Sequence, residues 1–94
     1  MDAFEIVVTA HFERQLKKLA RTNVEVVGEF ETILSTLRSD PHNRTRKHPI
    51  RKLVNVTAGD GQYRIRIKRF RLRYDIEGRT VLLKACALRR ENTY

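Results

Sequence analysis

The sequence has few of the residues that form covalent or metal links in small proteins. Its one cysteine, Cys86, has no partner for an internal disulfide. The three histidines, His11, His42 and His48, do not have the spacing of zinc ligands. We therefore expect a fold without disulfides, and a protein that needs neither a metal nor another cofactor.

Long apolar runs are also missing. No segment approaches the roughly 20 apolar residues that a membrane-spanning helix needs. The N-terminus contains Asp2 and Glu5 where a secretion signal has Lys or Arg, and no long apolar stretch follows. We expect a protein that stays in the cytoplasm and does not enter a membrane.

Acidic residues are scarce in the second half of the chain. Residues 1–43 contain five Lys/Arg and seven Asp/Glu, whereas residues 44–94 contain fifteen and four, so the net charges are −2 and +11. Positive charge concentrated in one region is typical of a surface that binds a polyanion. The alternative is a solvated charged face without a ligand. The charge distribution favours contact between the second half and nucleic-acid phosphates.

The first half of the chain has the pattern of one strand followed by two helices. Apolar residues alternate over 3–8, which predicts a strand. Thr9 has the position of an N-cap for a helix that ends near Arg21. Residues 22–25, Thr-Asn-Val-Glu, have the spacing of a capping box, and the helix that they open ends before Pro41. The two helices are expected to form an αα-hairpin.

The second half has the pattern of a strand meander. Apolar residues occupy odd positions up to Ile67 and even positions from Phe70, so we expect a tight connection at Lys68-Arg69. Glu77-Gly78 suits a hairpin turn into a strand in which Val81, Leu83, Ala85 and Ala87 alternate. The predicted strands cover residues 50–56, 63–67, 70–76 and 81–87.

These elements together predict an α+β fold. The order is β-α-α-β-β-β(-β), with an antiparallel sheet packed on the αα-hairpin. A chain of 94 residues buries one modest core, so residues 1–94 are expected to form a single domain.

Four arginines alternate with the apolar residues of the two middle strands: Arg64, Arg66, Arg71 and Arg73. If the apolar residues face the helices, all four side chains project from the opposite face of the sheet. Like charges on adjacent strands destabilise a sheet, so the fold alone does not explain them. Because guanidinium groups match phosphate oxygens and stay charged, we predict a phosphate-binding surface that can also stabilise a phosphorane.

The segment 63–76, the apolar strand that follows it and the closing segment 88–94 together resemble the RelE/ParE superfamily of bacterial and archaeal toxins. The family pattern is Tyr-Arg-x-Arg-x-Gly-Asp-Tyr-Arg-x-x-Tyr, then a strand, then an arginine-rich stretch that ends in tyrosine. The resemblance covers most of the chain, although Lys68-Arg69 replace the usual Gly-Asp. It implies the toxin of a type II toxin-antitoxin system, held in a heteromeric complex by a cognate antitoxin protein.

The superfamily contains toxins with different targets. RelE-like members cleave messenger RNA on the ribosome by attack of the ribose 2′-hydroxyl on the adjacent phosphate, and ParE-like members poison DNA gyrase. The sequence has no cluster of carboxylates for a two-metal site, which agrees with metal-free RNA cleavage. We favour the RelE-like branch, with the ribosome and messenger RNA as partners. The alternatives are a gyrase inhibitor without nuclease activity and a small RNA-binding structural protein.

The resemblance also implies roles for individual residues. Arg71 would stabilise the pentacovalent phosphate, Arg89 matches the arginine that opens the C-terminal motif, and Tyr94 matches the terminal tyrosine, which accepts the 2′-hydroxyl proton or stacks on a base. Tyr94 can act as a base only if nearby cations favour its phenolate form; its alternative is a frayed terminus without a role. The residues expected to contact RNA phosphates are Lys52, Arg64, Arg66 and Arg90.

Other polar and aromatic residues of this half are assigned to the fold or to the solvated surface. Tyr63 and Tyr74 have the apolar parity, so we expect core aromatics with hydrogen-bonded hydroxyls. Arg73 and Lys84 are expected to be solubilising residues. His48 is expected to be a polar loop residue rather than a general acid or base.

Overall fold

The structure, a computed structural model, describes residues 3–89. Its elements, in chain order, are β1 (Glu5–Val8), α1 (Ala10–Thr22), α2 (Glu25–Ser39), β2 (Ile50–Lys52), β3 (Tyr63–Ile67), β4 (Phe70–Glu77) and β5 (Thr80–Leu88). The five strands lie side by side in the order β1-β5-β4-β3-β2. The predicted α+β fold, with a strand meander packed on an αα-hairpin, is confirmed. No helix within residues 3–89 is long and apolar enough to cross a membrane.

The first strand differs from the expectation of a purely antiparallel sheet. β1 pairs with β5 in parallel, from Glu5 opposite Thr80 to Val8 opposite Leu83, whereas the strands of the meander are antiparallel to their neighbours. Hairpin turns fix the direction of consecutive strands only. β1 is separated from the meander by both helices, and a connection of that length permits parallel pairing.

The ends of the two helices agree with the sequence pattern only in part. Thr9 caps α1 as predicted, because its Oγ1 accepts a hydrogen bond from the Phe12 N–H at 3.3 Å. The predicted capping box is wrong: Thr22 is the last residue of α1, and the N-cap of α2 is Val24, which makes no side-chain cap hydrogen bond. Asn23 instead closes α1, and its backbone N–H donates to the Leu19 carbonyl at 3.0 Å.

The core lies between the helices and one face of the sheet. Tyr74 is fully buried there, donates its hydroxyl to the Pro41 carbonyl at 2.6 Å and stacks on Tyr63 with ring centroids 5.4 Å apart. Burial raises the pKa of Tyr74 well above its ordinary value. The predicted core role with a hydrogen-bonded hydroxyl is confirmed for Tyr74, whereas Tyr63 is partly buried and packs against the core. The other fully buried apolar residues include Phe12, Val26, Ile33, Leu37, Phe70, Leu72, Val81 and Leu83.

β5 contains a bulge that the sequence pattern did not indicate. Arg73 pairs with Ala85, but the next residue of β4, Tyr74, pairs with Leu83. Lys84 is therefore an extra residue in β5. A bulge of this kind bends the strand and changes the direction of a side chain.

The bulge reverses the parity of β5 beyond Leu83. Cys86 takes the core position, with 5% of its surface exposed, and Ala85 and Ala87 pair with arginines on the opposite face. The predicted alternation through Ala87 is therefore wrong in this half of the strand. The Cys86 N–H points to the outer edge of β5 and donates to Gln15 Oε1 of α1 at 2.9 Å. α1 therefore covers the part of this edge that lies beyond the end of β1.

The sequence pattern predicted the connection after β3 correctly and the segment before β3 only in part. Ile67 and Phe70 form the closing pair of the β3–β4 hairpin, which confirms the connection at Lys68-Arg69. Lys68 adopts φ 54°, a conformation that favours glycine, which is the residue that the resembling family has there. Before β3, the predicted strand over 50–56 ends at Lys52. Asn55 has φ 59°, which no strand residue adopts, so residues 53–62 form a loop.

Candidate nucleic-acid interface

One face of the sheet, opposite the core, holds a cluster of arginines. Arg64 pairs with Arg73 and Arg66 with Arg71 across β3 and β4, so all four side chains leave the sheet on the same side. Arg51 of β2 pairs with Arg64 and joins them. The structure thus brings together the four arginines singled out in the sequence and adds one that the sequence analysis missed. We call this surface the arginine face; its members are Arg51, Arg64, Arg66, Arg71 and Arg73.

The arginine face has a strongly positive and uncompensated charge. Burial and the neighbouring guanidinium groups, that of Arg71 first, lower the pKa of Arg64. Arginine remains protonated at physiological pH even so. The ion pairs among residues 3–89 are Lys17–Glu13, His48–Asp40 and Arg69–Glu25, and none of them lies on this face. An anion placed here would remove repulsion that the free protein has to sustain.

Arg71 has an additional feature within this cluster. Its Nε is buried and has no hydrogen-bond partner among the described residues. A buried donor without an acceptor costs free energy, more so when the group is charged. Arg73, by contrast, donates its Nε to the Gly61 carbonyl at 3.0 Å. Arg71 therefore has a buried donor that no acceptor among residues 3–89 satisfies.

Cavities follow the arginine face. The central cavity, of about 380 Å³, is lined by residues that include Arg64, Arg71, Arg73, Ala85 and Ala87. The two alanines pair with Arg73 and Arg71 on β5, and their small side chains leave room beside the guanidinium groups. A smaller cavity of about 130 Å³ lies between Arg51, Arg64 and Arg66 and shares Arg64 with the first. The two cavities therefore adjoin at Arg64 and extend over β2, β3, β4 and β5, and we call them together the groove.

A buried carboxylate positions the loop at one end of this groove. Asp75, 6% exposed, accepts hydrogen bonds from the backbone N–H groups of Gly61 at 2.9 Å and Gln62 at 2.8 Å. Gly61 has φ +85°, and a Cβ added to it would lie 2.9 Å from the Arg73 Cβ. The loop 53–62 is thus fixed against Arg73. The sequence analysis did not single out Asp75, because an acid in a basic strand has no recognisable motif.

Lys52 does not lie on the arginine face. It pairs with Tyr63, and its Nζ is 5.7 Å from the centroid of the Tyr63 ring. Neighbouring residues of a strand point to opposite faces, so the position next to Arg64 belongs to Arg51. The expectation that Lys52 joins Arg64 and Arg66 at the phosphates is corrected accordingly.

The C-terminal site residues are only partly described. The Arg89 backbone N–H donates to the Arg69 carbonyl at 2.7 Å, immediately beyond the last pair of β4 and β5. Leu88 packs against the core, so strand alternation puts Arg89 on the side of Ala87 and the arginine face. Arg90 and Tyr94 lie outside the described residues.

His48 lies apart from the groove, and the possible metal ligands of residues 3–89 do not cluster. His48 Nε2 is 3.6 Å from Asp40 Oδ2 in the loop after α2, and it lines neither cavity of the groove. Within residues 3–89, no three or more His, Cys, Asp or Glu side chains come together as metal ligands. The groove therefore presents guanidinium groups and a floor of small side chains.

Known proteins resemble the chain in sequence and in fold. Residues 6–92 match the family described as "ParE toxin of type II toxin-antitoxin system, parDE". A solved structure described as "The structure of YoeB dimer from Staphylococcus aureus" matches with a TM-score of 0.66 and 17% identity, over 94% of this chain and 99% of that one. At this identity the likeness shows the fold. No curated protein sequence matches the chain. Since the family match extends over nearly the whole sequence, the chain belongs to the ParE toxin family of type II toxin-antitoxin systems, within the RelE/ParE superfamily.

Proposed function

We propose that this toxin is a metal-independent endoribonuclease that cleaves messenger RNA on the ribosome and thereby inhibits translation. The observation that supports it is the arginine face: guanidinium groups surround a groove, no ion pair of residues 3–89 neutralises them, and Arg71 Nε has no acceptor. A phosphodiester backbone supplies both the charge and the acceptor that this surface lacks.

The proposed reaction is attack of a ribose 2′-oxygen on the neighbouring phosphorus atom. The bond from phosphorus to the 5′-oxygen breaks, the leaving 5′-oxygen takes a proton from water, and the products are a cyclic phosphate and a free 5′-hydroxyl. Negative charge grows on the phosphoryl oxygens in the transition state, and Arg71 and Arg64, which line the central cavity together, stabilise it. Arg66 holds the adjoining backbone from the smaller cavity.

Proton transfer needs a group other than these arginines, because a guanidinium stays charged at physiological pH. We assign the acceptance of the 2′-hydroxyl proton to Tyr94, a role that requires cations to favour its phenolate form. Arg89 lies next to Arg69 at the same end of β5 and contributes positive charge there. Arg90 adds a phosphate contact.

The test measures cleavage of a ribosome-bound message by mapping RNA ends. Arg71→Ala is expected to lower cleavage about 100-fold or more, which corresponds to the loss of one strong electrostatic stabiliser. Tyr94→Phe is expected to lower the rate with little change in RNA affinity. Arg21→Ala, an exposed arginine in the last turn of α1, is the matched control. Intact messages with the wild-type protein, or full cleavage by Arg71→Ala, would reject the proposal.

A second candidate is a ParE-like inhibitor of DNA gyrase. The description of the matching family favours it. The same preparations can be assayed for supercoiling by gyrase. Inhibited supercoiling with intact messages selects this candidate.

The toxin's partner follows from the family. A type II toxin has a cognate antitoxin. We propose that an acidic segment of that antitoxin neutralises the arginine face, since the free toxin has a net charge of +9.

A further inference from the structure

A third cavity adjoins the groove at the bulge of β5. We call it the bulge cavity; its volume is about 670 Å³, and its lining includes Arg73, Lys84, Ala85, His11, Thr57 and Asp60. It shares Arg73 and Ala85 with the central cavity. The groove therefore continues past Arg73 to the space between the start of α1 and the loop 53–62.

The bulge places Lys84 in this cavity. Regular alternation would put Lys84 and Ala85 on opposite faces, yet both line the bulge cavity because Lys84 is the extra residue of the strand. Lys84 is half-buried and forms no ion pair among the described residues. Lys84 is therefore positioned beside Arg73 to contact an anion that enters the cavity.

The chemistry of the bulge cavity suits the phosphate and ribose of a nucleotide. Lys84 and Arg73 supply two positive charges, and the only carboxylate among the lining residues is Asp60, which is exposed. Thr57 and Asn55 add a hydroxyl and an amide that can hydrogen-bond a sugar or a base edge. The position of Asp60 predicts that it weakens the binding of an anion.

The spacing along β4 connects this cavity to the central one. Arg71 and Arg73 are two residues apart on one strand, about 7 Å. This distance is comparable to the step between consecutive phosphates of an extended single strand. A backbone held at Arg71 would bring its next phosphate to Arg73 and Lys84.

We infer that the bulge cavity binds the nucleotide next to the scissile linkage of a single-stranded RNA, with Lys84 and Arg73 on its phosphate. The inference rests on the proposed function and extends the RNA site by one nucleotide. Lys84 is a binding residue in this scheme and takes no part in bond breaking.

The test uses binding without cleavage. The probe is a fluorescein-labelled oligouridylate with 2′-O-methyl riboses, which lacks the attacking hydroxyl, and fluorescence anisotropy is measured over a range of salt concentrations. Lys84→Ala is expected to weaken binding roughly tenfold at low salt and to reduce the slope of log K against log salt by about 0.7, the value for one phosphate contact with a single strand.

The controls separate a local contact from net charge. Lys84→Arg should bind like the wild type, and Lys18→Ala, which removes the same charge from the exposed face of α1, should change affinity less than twofold. Asp60→Asn should tighten binding, because it removes the one carboxylate of the cavity. Thermal melts establish that each variant is folded.

The outcomes distinguish a failure of the bulge-cavity site from a failure of the proposed nuclease. Wild-type binding with an unchanged Lys84→Ala variant, or an equal loss with Lys18→Ala, overturns the bulge-cavity site and leaves the proposed nuclease standing. A wild-type protein that does not bind the probe also overturns the bulge-cavity site, whereas the proposed nuclease is overturned only by intact messages in the end-mapping assay. A loss confined to Lys84→Ala, with a gain for Asp60→Asn, supports the site.

Discussion

Replacing Arg64 with methionine is expected to stabilise the free toxin. Arg64 lies directly opposite Arg51 on one side and Arg73 on the other, and burial together with these neighbours lowers its pKa. Methionine keeps an unbranched stem of similar length, so the packing of the aliphatic part is retained while the charge is removed. The substitution thus isolates the electrostatic cost of the arginine face.

The size of the effect follows from the cross-strand pairs. A directly opposed pair of like charges destabilises a sheet by roughly 0.2–1 kcal/mol, and Arg64 has two such partners. Their removal should add roughly 0.4–2 kcal/mol to the free energy of unfolding. For a domain of this size, 1 kcal/mol corresponds to about 4–8 °C in Tm, so we expect a rise of roughly 2–15 °C.

The measurement is thermal unfolding by circular dichroism at low and at high salt. Screening shortens the Debye length from about 30 Å at 0.01 M to about 3 Å at 1 M, so the advantage of the variant should shrink as salt is added. Arg21→Met, on the exposed surface of α1, is the control and should leave Tm nearly unchanged. A less stable Arg64→Met protein at low salt, or a difference that salt does not alter, would refute the electrostatic reasoning.

Three further predictions concern the groove and the loops beside it. Ala87→Leu should fill part of the central cavity and weaken RNA binding by tenfold or more in the anisotropy assay, while Tm changes little because Ala87 is exposed; unchanged affinity would exclude binding at this cavity. Asp75→Asn should lower the free energy of unfolding by roughly 1–3 kcal/mol in denaturant titrations, since its amide cannot accept from both the Gly61 and Gln62 N–H groups; Asp60→Asn, on the same loop, should not. Burial raises the pKa of Asp40, but hydrogen bonds from Thr45 and from backbone N–H groups more than offset this and leave the pKa below its usual value. The contribution of Asp40 to the free energy of unfolding is therefore present above about pH 4 and is lost as the pH falls through the lowered pKa. Asp40→Asn should accordingly flatten the acid side of a curve of stability against pH.

The central hairpin could be predicted well from the sequence because one alternation of apolar residues indicates both its turn and its two faces. The shift of apolar parity between Ile67 and Phe70 located the turn, and the same alternation placed Arg64, Arg66 and Arg71 on one face. The turn and the faces both depend only on the pleat of a strand. Both predictions are correct because each of these strands is long enough to show its period of two residues.

Other features depend on contacts that no local pattern reports. β2 has three residues, two of them basic, so alternation could not decide between Arg51 and Lys52. The capping-box spacing at Thr22 was present, but the last turn of α1 continued through it, since tertiary packing overrides local preference. The parallel pairing of β1 with β5 depends on how the two helices connect β1 to the meander.

The bulge at Lys84 makes β5 a strand with two phases. In its first part, Leu83 lies on the core side. In its second part, Cys86 lies on the core side, and Ala85 and Ala87 face the groove. Without the bulge, a regular ladder through Lys84 would exchange the two faces of everything downstream. The thiol would then enter the groove and an alanine the core. The bulge thus keeps Cys86 in the core and both alanines on the groove at the present chain length, and we expect that deleting Lys84 alone would remove the bulge without exchanging the faces.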